Sequence, residues 1–243
     1  MRFPASFTAS LAVAALAVCA AAGLSAQESS SQTQTPPASA QPVQPAYITI
    51  DPLAGVRYDN RWDLSLEMAY DHMKAGPTAL QGANLGGLNL SGSYYLARHW
   101  RLEGTFRPYV GTSGVGQVNP YDITGPFVAQ YLFAAGPEWL GPHNKHGALI
   151  AHVLVGGAYG DFQRDLRGHS PEVVGFYNDQ VAPAVIMGGH FDLNRSTHWV
   201  LRLSPDAVMT DYGVNYGKKY HQIDINAAFS VGVEYRFLPK KKK

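Results

Sequence analysis

The feature that most constrains the fold is an unbroken alternation near the C-terminus. In the 15 residues from Ile223 to Phe237 every odd position is apolar, while the even positions include Asp224, Asn226, Ser230, Glu234 and Arg236. A period of two places successive side chains on opposite faces of a β-strand. The segment therefore predicts one strand with an apolar face and a polar face, more than twice as long as the usual strand of a soluble protein.

Seven further segments carry a strand pattern. Residues 62–70, 88–96, 100–107 and 199–204 alternate cleanly. Residues 127–140, 148–162 and 181–193 have apolar or small residues on both faces, but their polar members share one parity within each segment. No stretch between the segments repeats every 3.6 residues, which argues against a parallel sheet with crossover helices. The sequence thus predicts eight consecutive strands.

The connections between these strands alternate in length. The short ones are residues 97–99, 141–147 and 194–198, and the others are residues 71–83, 111–125, 163–179 and 213–219. Three of the latter four are longer, and they are rich in Gly, Asp, Asn, Tyr and Pro. Such alternation places the short turns at one rim and the long loops at the other. An even number of strands in this order predicts an all-β fold, an eight-stranded up-and-down antiparallel barrel.

The polar face of the strands indicates whether the apolar face of this barrel points inward or outward. A soluble barrel directs its apolar face inward, whereas a transmembrane barrel directs it toward lipid. The predicted strands exceed the 9–11 residues that cross a bilayer, and their apolar positions end in Trp or Tyr. We therefore expect Phe229 and Val231 to face lipid. The charges of the polar face have both signs and should pair in the lumen: Asp63, Glu67, Glu103, Asp206, Asp224 and Glu234 against Arg101, Arg107, Arg202 and Arg236.

The two ends of the chain differ from its centre in composition. Residues 1–26 have Arg2, an apolar run and a small residue at Ala26, which predicts a signal peptide. The single cysteine, Cys19, lies inside it, so cleavage after Ala26 would exclude disulfides and thiolate chemistry. Residues 27–56 predict a flexible linker rich in Pro, Ser and Gln, residues 57–237 the barrel, and residues 238–243 a basic tail. The net charge of +1 predicts no nucleic-acid partner.

The end of the last strand carries a more specific pattern. Phe229, Val231, Val233, Tyr235 and Phe237 alternate up to an aromatic residue, similar to the C-terminal signal that the barrel-assembly machinery reads. From about residue 57 to 237 the chain resembles the eight-stranded bacterial outer-membrane barrels, the superfamily of OmpA-type transmembrane domains, OmpW and opacity-like porin-family proteins. It departs from that pattern because six further residues follow the aromatic.

The resemblance implies a place in the bacterial outer membrane. The N-terminal linker and the C-terminal tail would then be periplasmic, and the partners would be outer-membrane lipid and, during biogenesis, the barrel-assembly machinery. We expect a monomer with a structural or surface role, because a charge-filled lumen leaves at most narrow conductance. The alternatives are an OmpW-like conduit for small apolar molecules, a loop-based adhesin and a lipid A-modifying barrel enzyme.

Three groups of polar residues are candidate sites of chemistry. His143 and His146 share a short turn but offer only two metal ligands. His190 and Asp192 have the same inward parity, which predicts a His–carboxylate hydrogen bond in the lumen. The third group is His169, Ser170 and Glu172, the residue types of a base, a nucleophile and an acid. It lies in a long loop where nothing fixes the geometry of the three side chains. The sequence predicts no catalytic residue, no metal site and no cofactor.

Overall fold

The computed structural model describes residues 51–77, 82–114, 121–215, 219–220 and 223–238. The predicted signal peptide, most of the predicted linker and the lysines of the tail lie outside the described residues. The elements are β1 (Trp62–Lys74), β2 (Gly82–Tyr95), β3 (Trp100–Ser113), β4 (Phe127–His143), β5 (Gly147–Asp161), α1 (Pro171–Val174), β6 (Gln180–Asn194), β7 (Trp199–Asp211), β8 (Val214–Asn215), β9 (Lys219–Tyr220) and β10 (Ile223–Phe237).

Eight of these strands form one closed antiparallel barrel. Each pairs with its neighbour in the chain, with β7 next to β10, and β1 closes the circle by pairing with both β2 and β10. At the closure Trp62 lies opposite Phe237 and Tyr94. The two short strands β8 and β9 form a separate hairpin between β7 and β10. The predicted eight-stranded up-and-down barrel is confirmed.

The alternation of the sequence becomes an alternation of burial. On β10, Phe229, Val231 and Val233 are 39–47% exposed on the outer surface, whereas Ser230 and Glu234 are at most 2% exposed inside. On β1 the pattern repeats without interruption, with exposed residues at even positions and buried ones at odd positions. The apolar face is therefore outside and the polar face is inside, as predicted.

Several strands extend further toward the long loops than their sequence pattern predicted. β1 continues to Lys74, β3 to Ser113 and β7 to Asp211, so the predicted loops 71–83 and 111–125 begin too early. The reason is that both faces become mixed near the long loops. Apolar residues such as Met73 and Leu85 lie inside, polar residues such as His72 lie outside, and the apolar-out, polar-in alternation is lost although the strand continues.

The long-loop end of the interior is filled by aromatic side chains. The rings of Phe162, Tyr177 and Tyr212 are mutually in contact, with centroids 5.1–5.8 Å apart. Helix α1 is capped at its C-terminus by Gly175, whose φ of 84° lies in the left-handed region that favours glycine. The chain then turns inward, and the Tyr177 hydroxyl donates a 2.6 Å hydrogen bond to Asp224. This segment closes the interior at the long-loop end. Among the described residues no helix is long and apolar enough to cross a membrane.

Candidate functional site in the barrel interior

The lower network is a set of ion pairs near the short turns: Arg101, Arg202 and Arg236 with Asp63, Glu138, Asp192 and Glu234. Arg202 donates to both oxygens of Asp192, at 2.8 and 3.0 Å, and also pairs with Glu234. Arg236 donates to the same two carboxylates, at 3.1 Å to Asp192 and 2.7 Å to Glu234. Two guanidinium groups and two carboxylates thus form a closed ring of charge-assisted hydrogen bonds.

Arg101 occupies a neighbouring position in the lower network. It pairs with Glu138 on β4 and lies 3.0 Å from Asp63 on β1. It also donates to the Tyr95 hydroxyl at 3.1 Å. Its guanidinium carbon lies 4.9 Å from the centre of the Tyr95 ring, a cation–π distance. One buried cation therefore connects three strands and one aromatic side chain.

The central cluster lies between the lower network and the aromatic side chains, and consists of Glu103 on β3, His152 on β5, His190 on β6 and Asp206 on β7. His152 Nδ1 is 2.8 Å from Glu103 Oε2, and His152 Nε2 is 3.0 Å from Asp206 Oδ1. His190 Nε2 is 3.3 Å from the same Glu103 oxygen. All four residues are at most 7% exposed.

Ser204 and Arg107 complete the surroundings of the central cluster. His190 Nδ1 is 2.7 Å from Ser204 Oγ, and Ser204 donates its hydroxyl hydrogen to Glu67 at 2.8 Å. Arg107 Nη1 lies 2.6 Å from Asp206 Oδ2. Each histidine is therefore held at both ring nitrogens.

A glycine makes room for this arrangement. Gly188 on β6 lies opposite His152 on β5 and opposite Asp206 on β7. A Cβ atom at this position would collide with the Asp206 carboxylate and lie 2.5 Å from the Pro205 carbonyl oxygen. Without a side chain on the intervening strand, His152 can contact Asp206 two strands away.

The described part of the interior has many more acidic than arginine side chains. Four buried arginines, Arg101, Arg107, Arg202 and Arg236, face nine buried carboxyl side chains. The carboxyl side chains are Asp63, Glu67, Asp71, Glu103, Glu138, Asp192, Asp206, Asp224 and Glu234. Lys74, 3.5 Å from Asp224, offsets one of these carboxyl groups. The remaining excess requires protonation of carboxyl or imidazole groups, or further cations.

The segment before β1 covers the short-turn end. Tyr58 donates its hydroxyl to Asn144 at 3.0 Å and accepts from Asn194 at 2.8 Å, while Arg236 lies 4.5 Å above its ring. Further along the rim, the Leu53 backbone N–H and the Lys145 ammonium both bind Asp51 and lower its pKa from the usual value. The interior is thus bounded by side chains at both ends.

The structure brings together most of the residues that the sequence indicated. All ten predicted inward charges are buried. His190 and Asp192 both lie inside, but the predicted hydrogen bond within that pair is not the one formed. His190 contacts Glu103, and Asp192 pairs with Arg202 and Arg236.

The two loop groups stay apart from this interior. His143, the last residue of β4, and His146, in the turn that follows, are both exposed, and the His143 ring lies 4.6 Å from Tyr58. In the other group, His169 packs against Tyr121 at 4.2 Å, and Ser170 precedes α1 without a side-chain cap hydrogen bond. Glu172 is exposed.

Sequence reasoning missed Glu138, Asp71 and the meeting of His152 with Glu103. Glu138 lies on β4 and has the same parity as Gln130, but small and apolar residues on both faces of this strand made its inward face hard to assign. The convergence of Glu103, His152 and His190 depends on barrel stagger, since the three residues are on strands β3, β5 and β6. The one sequence feature that pointed to this convergence was that the His and Glu residues share the inward parity of their strands.

Comparison with known proteins supports the fold alone. No family model and no curated protein matches the sequence. The crystal structure of the outer-membrane protein OprG from Pseudomonas aeruginosa is similar over 74% of this chain and 98% of that chain, with a TM-score of 0.50 and 12% identity. The fold is that of the eight-stranded outer-membrane barrels. Ail of Yersinia pestis also aligns, over 73% of this chain and 99% of that chain, with 18% identity and a TM-score of 0.47.

Proposed function

We propose that the protein is a non-enzymatic outer-membrane β-barrel with a closed, charge-filled lumen, whose role is structural or lies in its surface loops. The proposal rests on the observation that the barrel interior is filled by paired, buried charged side chains. All four inward arginines are at most 1% exposed and paired with carboxylates. An eight-stranded barrel is just wide enough for side chains to fill, whereas aqueous channels need about 16 strands.

The outer surface supports a membrane location. Leu64, Leu66 and Met68 on β1 are 50–73% exposed, an arrangement that water disfavours and lipid favours. All four tryptophans of the chain point outward at the short-turn end: Trp62, Trp100, Trp139 and Trp199. Such a ring is typical of the membrane–water interface. We propose that the short turns are periplasmic, that the long loops face outward, and that the barrel is a monomer inserted by the barrel-assembly machinery.

Two rival functions meet specific obstacles in the structure. A conduit for small apolar molecules would have to displace the ring cluster of Phe162, Tyr177 and Tyr212. A lipid A-modifying enzyme would need a nucleophile held by a base. The His169 ring instead packs on Tyr121, and Ser170 begins a four-residue helix.

Conductance and lipid analysis test the proposal together. We expect the purified, folded protein to give no steady current in planar lipid bilayers, and its expression to leave the mass of lipid A unchanged. A persistent, porin-sized current would refute the closed lumen. A new lipid A mass that disappears when Ser170 and His169 are replaced would instead establish an enzyme.

A further inference from the structure

Three ligand atoms converge on one point in the central cluster. His152 Nδ1, His190 Nε2 and Glu103 Oε2 are separated by 2.8, 3.2 and 3.3 Å. Four ligands placed tetrahedrally around zinc at about 2.0–2.1 Å lie roughly 3.3 Å from one another. The three atoms therefore already lie close to the spacing of one face of such a site.

If His190 is neutral, its hydrogen bonds leave the inner nitrogen, Nε2, without a hydrogen. Ser204 has one hydroxyl hydrogen and donates it to Glu67. His190 Nδ1, 2.7 Å from Ser204 Oγ, must then be the donor in that contact. In a neutral imidazole the other nitrogen, Nε2, is a lone-pair acceptor, and it points at Glu103 and His152.

The position of the hydrogen on a neutral His152 follows from its contacts in the same way. Its Nε2 lies 3.0 Å from a carboxylate oxygen of Asp206, which can only accept. The hydrogen of a neutral His152 is therefore on Nε2, and Nδ1 presents a lone pair toward Glu103 Oε2. With hydrogens alone, the cluster needs either a charged His152, whose Nδ1–H donates to Glu103, or a protonated Glu103. A divalent cation would bind the same lone pairs directly.

Two further observations favour a cation at the meeting point. Glu103 Oε1 is buried and has no hydrogen-bond partner. The nine buried carboxyl groups of the described interior also outnumber its four buried arginines, even when Lys74, 3.5 Å from Asp224, is counted beside them. Asp206 and Ser204 hold the outer nitrogens of the two histidines, as carboxylates and hydroxyls do behind the histidine ligands of metal sites.

We propose that Glu103, His152 and His190 bind a divalent transition-metal ion within the lumen. Two imidazole nitrogens and one carboxylate oxygen suit ions of intermediate softness, of which Zn²⁺ is the appropriate probe. The ion joins β3, β5 and β6 from the inside and stabilises the folded barrel by binding it in preference to the unfolded chain. This proposal does not depend on the proposed surface role.

Metal content of the refolded chain tests the site. The untagged, full-length protein is refolded in detergent with Zn²⁺ present, so that the ion can enter before the barrel closes, and excess metal is removed with a chelating resin. Elemental mass spectrometry of the folded fraction should give about one zinc per chain. The variant Glu103→Gln preserves side-chain size and should retain roughly tenfold less zinc.

A turn variant supplies the matched control. His143→Ala combined with His146→Ala removes two exposed histidines and should leave the zinc content unchanged. If Glu103→Gln fails to fold, visible absorption of the wild-type protein refolded with Co²⁺ distinguishes a tetrahedral site from none. Folded wild-type protein without zinc or cobalt, or equal retention in Glu103→Gln and wild type, would overturn the proposal.

Discussion

Arg202 shows how one side chain helps to close the lumen. It is fully buried and pairs with Asp192 and Glu234, and among the described residues the other cation paired with those two carboxylates is Arg236. Removing a buried ion-pair partner leaves an uncompensated charge and costs about 3–5 kcal/mol. The contribution of Arg202 to stability is thus mainly the free-energy penalty for leaving its carboxylate partners without it.

We expect Arg202→Ala to lower the free energy of unfolding by about 3–5 kcal/mol, measured by urea titration in lipid vesicles. It should also introduce conductance steps in planar bilayers, because a large side chain is removed from the filled interior. Arg195→Ala, in the exposed turn before β7, is the matched control and should change stability by less than about 0.5 kcal/mol. Equal stability of the two variants would mean that the lower network does not secure the barrel.

At the scale of elements, sequence pattern predicted strands well and their ends less well. The alternation of β10 gave its bounds and both of its faces, because every odd residue is apolar. On β1 the pattern ended at Tyr70 although the strand continues to Lys74. Alternation reports the contrast between the two faces of a strand, and this contrast is lost beyond Tyr70, where polar His72 faces outward and apolar Met73 faces inward.

Depth along β10 distinguishes lipid from water around the barrel. Val231 and Ile223 both point outward, Val231 near the middle of the strand and Ile223 at its long-loop end. Arginine costs about 2–4 kcal/mol at the bilayer midplane and about 0–1 kcal/mol near the interface. We expect Val231→Arg to reduce the folded yield in vesicles strongly and Ile223→Arg to reduce it little. Similar yields for both would argue for an aqueous exterior.

At the scale of the whole molecule, the sequence predicted the architecture but not the contacts within it. Eight strands, alternating loop lengths and a two-signed polar face were enough to specify a closed barrel with its charges inside. Which charges meet was not predictable. His190 contacts Glu103 rather than Asp192, because the stagger of a barrel brings together residues on strands that are not neighbours in the chain.

The tryptophans allow a direct test of the claim that this barrel has its apolar face in lipid. All four point outward at the short-turn end, so their fluorescence reports on a single belt around the outer surface of the barrel. In vesicles containing brominated lipids we expect strong quenching when bromine is near the headgroups, weaker quenching when it is at the acyl-chain ends, and little access for aqueous iodide. Emission that iodide quenches and brominated lipid does not would contradict the account.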